Sequence, residues 1–210
     1  TITCNTPCTS FVTPNFAPIA AICSGGTVPT LATTSPNGII GTWSPATISN
    51  TVSGNYVFTP NSTINPCANT QTISVTILNP STPTFTQVAT VCSGTALTAL
   101  PTTSNNGYTG TWSPALNNTA TTTYTFTPTA GQCAATTTMT ITVNPNITPT
   151  FTQIAAICSN GTLVLPTTSN NGFTGTWSPA VNNTATTAYT FTPTAGQCAT
   201  TTTMIITVNP

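Results

Sequence analysis

The sequence predicts an all-β fold: three small β-sandwich domains in tandem, each holding one intradomain disulfide. Three observations carry this reading. The hexapeptide GTWSPA occurs at 41–46, 110–115 and 175–180, and an internal repeat outranks length as a guide to domain number. The apolar periodicity is two rather than 3.6. Each repeat also presents a Cys–Trp–Cys order at near-constant spacing: Cys23, Trp43, Cys67; Cys92, Trp112, Cys133; Cys158, Trp177, Cys198.

The repeats are units of 14–80, 81–146 and 147–210, preceded by a head of 1–13. Residues 104–145 align with 169–210 without a gap and differ at five positions: Tyr108/Phe173, Leu116/Val181, Thr123/Ala188, Ala135/Thr200 and Thr140/Ile205. The first unit is more distant but keeps PNG at 36–38, GTWSPA, and NYVFTP at 55–60.

Strands follow from alternation. In TTTYTFTP, Tyr124 and Phe126 point one way while Thr121, Thr123, Thr125 and Thr127 point the other. In CAATTTMTITV, Cys133, Ala135, Thr137, Met139, Ile141 and Val143 share one face and the intervening Ala and Thr residues share the other. Both read as half-buried strands, joined by the PTAG turn at 128–131 into an antiparallel hairpin. The third unit repeats this with Tyr189, Phe191, Cys198, Met204, Ile206 and Val208. Asn-Gly in SNNG, at 104–107 and 169–172, is a strong hairpin signal and launches the strand that carries Tyr108 and Trp112 on one face. Within GTWSPA, Gly110 permits close backbone packing, Trp112 fills the core and Pro114 ends the strand. Trp43 and Trp177 take the same core role. Thr, Pro, Gly and Asn dominate, so nothing reads as helix. Pro-marked tracts, LNPSTPT at 78–84 and VNPNITPT at 143–150, are short, stiff connectors of extended geometry, which predicts three sandwiches in line.

One cysteine pair per unit reads as one intradomain disulfide. A zinc site needs paired CxxC knuckles, and the spacing offers none; free buried thiols in a reducing compartment are the competing reading. A unit of this size buries a modest core, and closing a loop of about forty residues stabilises by roughly 4 kcal/mol on the chain-entropy model. Cys4 and Cys8 fit no unit. They bond each other, pair with a further unit, or link neighbouring molecules. TITCN at 1–5 resembles TITVN at 140–144, the end of a unit, so the head reads as the tail of a preceding unit; a processed N-terminus is the alternative.

The chain holds no Lys, Arg, Asp, Glu or His. Nucleic-acid binding requires cations to displace counterions from phosphate, so that class is excluded. No apolar run reaches the length of a membrane span, and membrane insertion is not expected. General acid–base catalysis requires a group that titrates near the working pH, and nothing here activates the many hydroxyls. The expectation is a protein that is not an enzyme and has no cofactor or metal.

The pattern CSG…TWSPA…YTFTP…GQCA…TTTMTITVNP resembles the immunoglobulin-like and PKD-like repeats of very large secreted surface proteins in gliding and other Bacteroidota. The resemblance covers 14–210. It implies Ig-like sandwiches, export to the cell surface, and a stalk in adhesion or motility, without naming a ligand. One departure is plain. Antibody-type domains place the second Cys two residues after Tyr, whereas Cys133 lies nine after Tyr124, which moves the expected disulfide to the start of the final strand.

Three functions follow as expectations. The first is a structural segment of an extracellular fibre or adhesin stalk, whose partners are neighbouring repeats or copies of the chain. The second is a glycan-binding sandwich module using exposed aromatics and Asn. The third is ice binding by outward Thr rows, which twisted strands oppose. Thr makes up more than a quarter of the chain, and a neutral surface favours self-association or a glycan coat. Five sequons, at Asn61, Asn117, Asn146, Asn160 and Asn182, are candidate glycosylation sites; chance supplies several in a chain so rich in Asn and Thr.

Overall fold

The computed structural model describes residues 8–210, and no helix occurs among them. In the first repeat the strands are β1 (Ile22–Cys23), β2 (Gly41–Ser44), β3 (Gly54–Pro60), β4 (Gln71–Val75) and β5 (Ile77–Leu78). The second holds β6 (Val91–Cys92), β7 (Gly110–Ser113), β8 (Thr122–Pro128), β9 (Thr137–Ile141) and β10 (Val143–Asn144). The third holds β11 (Ile157–Cys158), β12 (Gly175–Ser178), β13 (Thr187–Pro193), β14 (Thr202–Ile206) and β15 (Val208–Asn209). Each repeat is therefore a small β-sandwich of one three-stranded antiparallel sheet and one two-stranded parallel sheet.

The last strand changes partner along its course. In the third repeat β14 pairs with β13, then β15 pairs in parallel with β11, Cys158 lying opposite Asn209. The first two repeats do the same, with Cys23 opposite Leu78 and Cys92 opposite Asn144. One continuous run thus contributes to both sheets.

The predicted hairpin is present. Tyr124 stands opposite Met139 and Phe126 opposite Thr137, and Tyr124, Phe126, Met139 and Ile141 are buried while Thr123, Thr127, Thr138 and Thr140 are exposed. Alternation sorts the side chains because successive Cβ atoms leave opposite faces of a strand. The connection is longer than the PTAG turn: β9 begins at Thr137, so Cys133 and Ala135 sit in the loop, with Cys133 at φ 47°.

The chain forms two compact units. One contains the described residues through Pro83 together with Thr129–Ala135, the connection between β8 and β9. Its core gathers Ile39, Trp43, Ile48, Tyr56, Phe58, Ile73 and Val75, with Phe16 and Ile22 packed against them. The other contains Thr84–Pro128 and Thr136–Pro210; in its third repeat Leu163, Leu165, Tyr189, Met204 and Ile206 form the core, with Phe151 and Trp177 alongside.

GTWSPA acquires its physical meaning here. A Cβ on Gly41, Gly110 or Gly175 would fall 2.3 Å from the carbonyl oxygen of Thr59, Thr127 or Thr192 and 2.6 Å from the ring of Phe58, Phe126 or Phe191. No larger residue fits. The indole two residues on packs against that same Phe, with ring centroids 5.2 Å apart in all three repeats. Its Nε1 donates to the carbonyl of Ala32, Pro101 or Pro166 at 2.8–2.9 Å. Trp43 is buried, but Trp112 and Trp177 are half-buried, so the predicted core role is complete only in the first repeat.

The connectors are pinned. Pro83 and Pro149 are fully buried. In the third repeat Asn170 N donates to Thr150 O (2.7 Å), Thr150 N donates to Asn171 Oδ1 (3.0 Å), and Asn171 Nδ2 donates to Thr148 O (3.0 Å). The SNNG turn thus clasps the incoming connector. Inside the turn, the buried Ser169 Oγ donates to Asn171 Oδ1 (2.8 Å) and accepts from Phe173 N (2.9 Å), while Gly172 takes φ 89°, a conformation that glycine adopts freely.

Candidate functional site

The most distinctive chemistry lies in the sulfurs. The cysteines do not close each repeat on itself. The bonds are Cys8–Cys67, Cys23–Cys133 and Cys92–Cys198, with Cα–Cα distances of 5.5, 5.3 and 5.0 Å, and Cys158 is free and exposed. The expected intradomain pairs 23–67, 92–133 and 158–198 are therefore corrected. A strand cysteine of one repeat bonds the loop cysteine of the following repeat.

The reason is the length of the last strand. Cys23 sits beside Leu78, at the end of β5, whereas Cys67 precedes Gln71, at the start of β4. Seven strand residues at about 3.3 Å each separate those ends by on the order of 20 Å. A disulfide requires Cα atoms within about 7 Å. Spacing in sequence could not expose this, because Cys23 to Cys133 (110 residues) and Cys92 to Cys198 (106) recur as regularly as the pairs inside a repeat.

Each loop cysteine is held the same way. Val12 N donates to Cys67 O (3.0 Å), Ser81 N to Cys133 O (3.0 Å) and Ile147 N to Cys198 O (2.9 Å). The next residue, Ala68, Ala134 or Ala199, forms a parallel bridge with the same connector residue. Connector, loop and sulfur are thus one local assembly, repeated three times. In the second compact unit the Cys92–Cys198 joint borders a cleft of about 780 Å³, lined by Ser93, Gly94, Gln197 and neighbouring backbone. Within the second repeat, Asn146 Nδ2 donates to Ser93 O at 2.9 Å beside this cleft.

Among the described cysteines, Cys8 alone reaches a loop cysteine, Cys67, from the head that precedes the first unit. It stands eight residues before Phe16, the place that Ile77 and Val143 hold before Phe85 and Phe151. Cys4 lies outside the described residues, as does the resemblance of residues 1–5 to a unit end.

The aromatic cluster is the feature that sequence reasoning missed. Phe16, Phe85 and Phe151 each pack on the Trp and on the strand Phe at centroid distances of 4.7–4.9 Å, tilted or edge-on. Such pairs add about 0.5–1.5 kcal/mol beyond burial. The signal was PNF at 14–16 and PTF at 83–85 and 149–151. Tyr56, Tyr124 and Tyr189 also serve as anchors, the hydroxyl accepting from the backbone N of Ser49, Asn117 or Asn182 at 2.8 Å.

All five sequon asparagines are exposed. Asn117 Oδ1 accepts from Thr119 N and Oγ1, and Asn182 Oδ1 from Thr184 N and Oγ1, at 2.8–2.9 Å. Asn61 Oδ1 accepts from Thr63 N (2.9 Å). Asn160 adopts φ 62°. Among the described residues no group of three His, Cys, Asp or Glu could hold a metal, and no helix is long and apolar enough to cross a membrane. No family model matches this sequence, and a search of curated proteins gave no match.

Proposed function

We propose that the chain is a structural repeat segment of an extracellular fibre or adhesin stalk, non-catalytic, whose task is reach and durability. The observation that carries the reading is the staggered disulfide pattern. A strand cysteine bonds forward to the next repeat's loop, so tension on the chain is borne by covalent bonds at the joints as well as by the backbone. Disulfides of this kind belong to an oxidising environment, and an extracellular place accords with it. The resemblance to repeats of secreted surface proteins of Bacteroidota supports the same assignment. So does the absence of Lys and Arg, which leaves trypsin no site, and of Asp, Glu and His, the usual groups for acid–base work at neutral pH.

The test is immunogold imaging of intact producing cells with an antibody raised against the purified chain. Label on surface fibres is the expected result; label confined to the cell interior overturns the assignment.

A glycan-binding module is the second reading, favoured by one observation. The half-buried Trp112 borders a hollow of about 240 Å³ with Leu100, Pro114 and Leu116, where an indole face could stack on a sugar. Binding on a glycan array, abolished by Trp112→Ala, is the result that supports it.

A further inference from the structure

The three disulfides close covalent rings that overlap in order along the chain. Cys8–Cys67 closes the first, Cys23–Cys133 the second and Cys92–Cys198 the third. The second opens at Cys23, before the first closes at Cys67, and the third opens at Cys92, before the second closes at Cys133. Every peptide bond from Cys8 to Cys198 therefore lies inside at least one ring, and those of 23–67 and 92–133 lie inside two. Closed within each repeat, as 23–67, 92–133 and 158–198, the sulfurs would leave 67–92 and 133–158 outside any ring. Those two spans hold the Pro-marked connectors, 78–84 and 143–150. They also hold largely exposed stretches outside any strand, at 86–90 and 152–156. Proteolytic nicking concentrates at exposed, irregular segments of this kind.

We infer that the staggered sulfurs are a fail-safe against backbone cleavage. A single cut anywhere between Cys8 and Cys198 leaves the chain in one covalent piece, with tension passed across the gap through a disulfide. The inference rests on the fibre reading for its setting. It adds that the order of the bonds, beyond their number, guards the connectors.

The chemistry of a cut leaves the bridges alone. A protease adds water across one peptide bond, giving a carboxylate and an amine, and nothing is oxidised or reduced. A disulfide breaks by thiolate attack on sulfur, a separate reaction. Each bond guards its own span. Among the described cysteines, Cys23–Cys133 is the sole bridge over a cut after Ala89, and Cys92–Cys198 is the sole bridge over a cut after Ala155. Within 23–67 and 92–133 two bonds span any cut, so even the reduction of one there leaves a bridge.

The chain offers trypsin no site of its own, so one substitution creates a single cut. Ala89→Arg and Ala155→Arg fall at equivalent, exposed positions three residues before Cys92 and Cys158. The purified, oxidised full chain carrying either substitution is alkylated to block thiols and digested with trypsin in urea, so that folding does not shield the site. The expected result is one species of full-chain mass without reductant. With reductant it separates into 1–89 and 90–210, or into 1–155 and 156–210. Adding Cys23→Ser and Cys133→Ser to Ala89→Arg is expected to part the chain without reductant, whereas adding them to Ala155→Arg leaves it whole. Cys92→Ser with Cys198→Ser does the reverse. Separation of either single-site variant without reductant overturns the inference, and so does a chain that holds together once its bridging pair is gone. A chain that parts, together with antibody label on native fibres, would sink the fail-safe and leave the fibre assignment standing; a chain that holds but is found only inside cells would do the opposite.

Discussion

Repeats two and three are nearly one sequence in two positions. Over 42 aligned residues they differ at five, and none of the ten side chains concerned is buried. Register, turn, aromatic cluster and Tyr anchor coincide. Their cysteines do not: Cys92 is bonded and Cys158 is not. The comparison separates two layers of information. What folds a repeat lies inside it, in alternation, a glycine and three rings. What stabilises the joint lies between repeats, in a strand cysteine and a loop cysteine one repeat on.

The largest expected effect breaks that comparison at the sulfurs. Replacing Cys92 and Cys198 together by Ser removes a crosslink spanning 106 residues, which on the chain-entropy model is worth up to about 4.7 kcal/mol. Cys158→Ser, at the equivalent strand position, shifts stability by less than about 0.5 kcal/mol, as surface substitutions do. Thermal unfolding of the monomeric chain measures both; equal shifts would mean that the joint contributes nothing the free cysteine lacks.

Next comes the glycine that admits the Trp strand. Gly110→Ala and Gly175→Ala place a methyl against backbone carbonyl and ring, contacts that cannot be relieved by rotating a side chain. Overpacking of this kind costs about 1–3 kcal/mol. The two variants are expected to lose the same amount, since the two sites match to 0.1 Å. Urea denaturation checks this, and a mutation tolerated in one repeat alone would show that the repeats are less alike than their registers. A smaller loss follows for Tyr124→Phe and Tyr189→Phe. Each leaves the N–H of Asn117 or Asn182 without its hydroxyl acceptor, at about 1–2 kcal/mol for a part-buried donor. Hydrogen exchange at those two amides reads it directly.

Much of this architecture was legible. Alternation around Tyr124 and Met139 located the hairpin and assigned its faces, because burial on one side imposes period two. Asn-Gly located the turn, because the backbone there needs φ > 0. Zero charge removed whole classes of function. The disulfide partners were hidden, since sequence spacing does not say that a cysteine near the end of a strand and one before its start lie a strand length apart. Phe16, Phe85 and Phe151 were hidden for another reason. They sit in Pro-marked connectors outside any alternating run, so no periodicity announces that they close the aromatic cluster. Cys158 shares its spacing to the Trp and its short parallel strand with Cys92, so the residues give no ground for setting it apart.

The smallest expected effect concerns two of the five differences. Thr123 and Thr140 are cross-strand partners whose hydroxyls lie 2.8 Å apart, and in the third repeat the same pair is Ala188 and Ile205. In the first repeat it is Asn55 and Ser74, bonded at 2.7 Å. The site has thus been filled as a matched pair three times, polar with polar or apolar with apolar. Exposed cross-strand pairs contribute about 0.2–1 kcal/mol. Thr123→Ala alone and Thr140→Ile alone each strand one member without its partner, whereas the double variant recreates the third repeat. A double-mutant cycle is therefore expected to return a coupling of about 0.5 kcal/mol in favour of the matched pairs. Strict additivity would mean that the two differences between the repeats arose independently, and that the outward face of this sheet is free to vary one residue at a time.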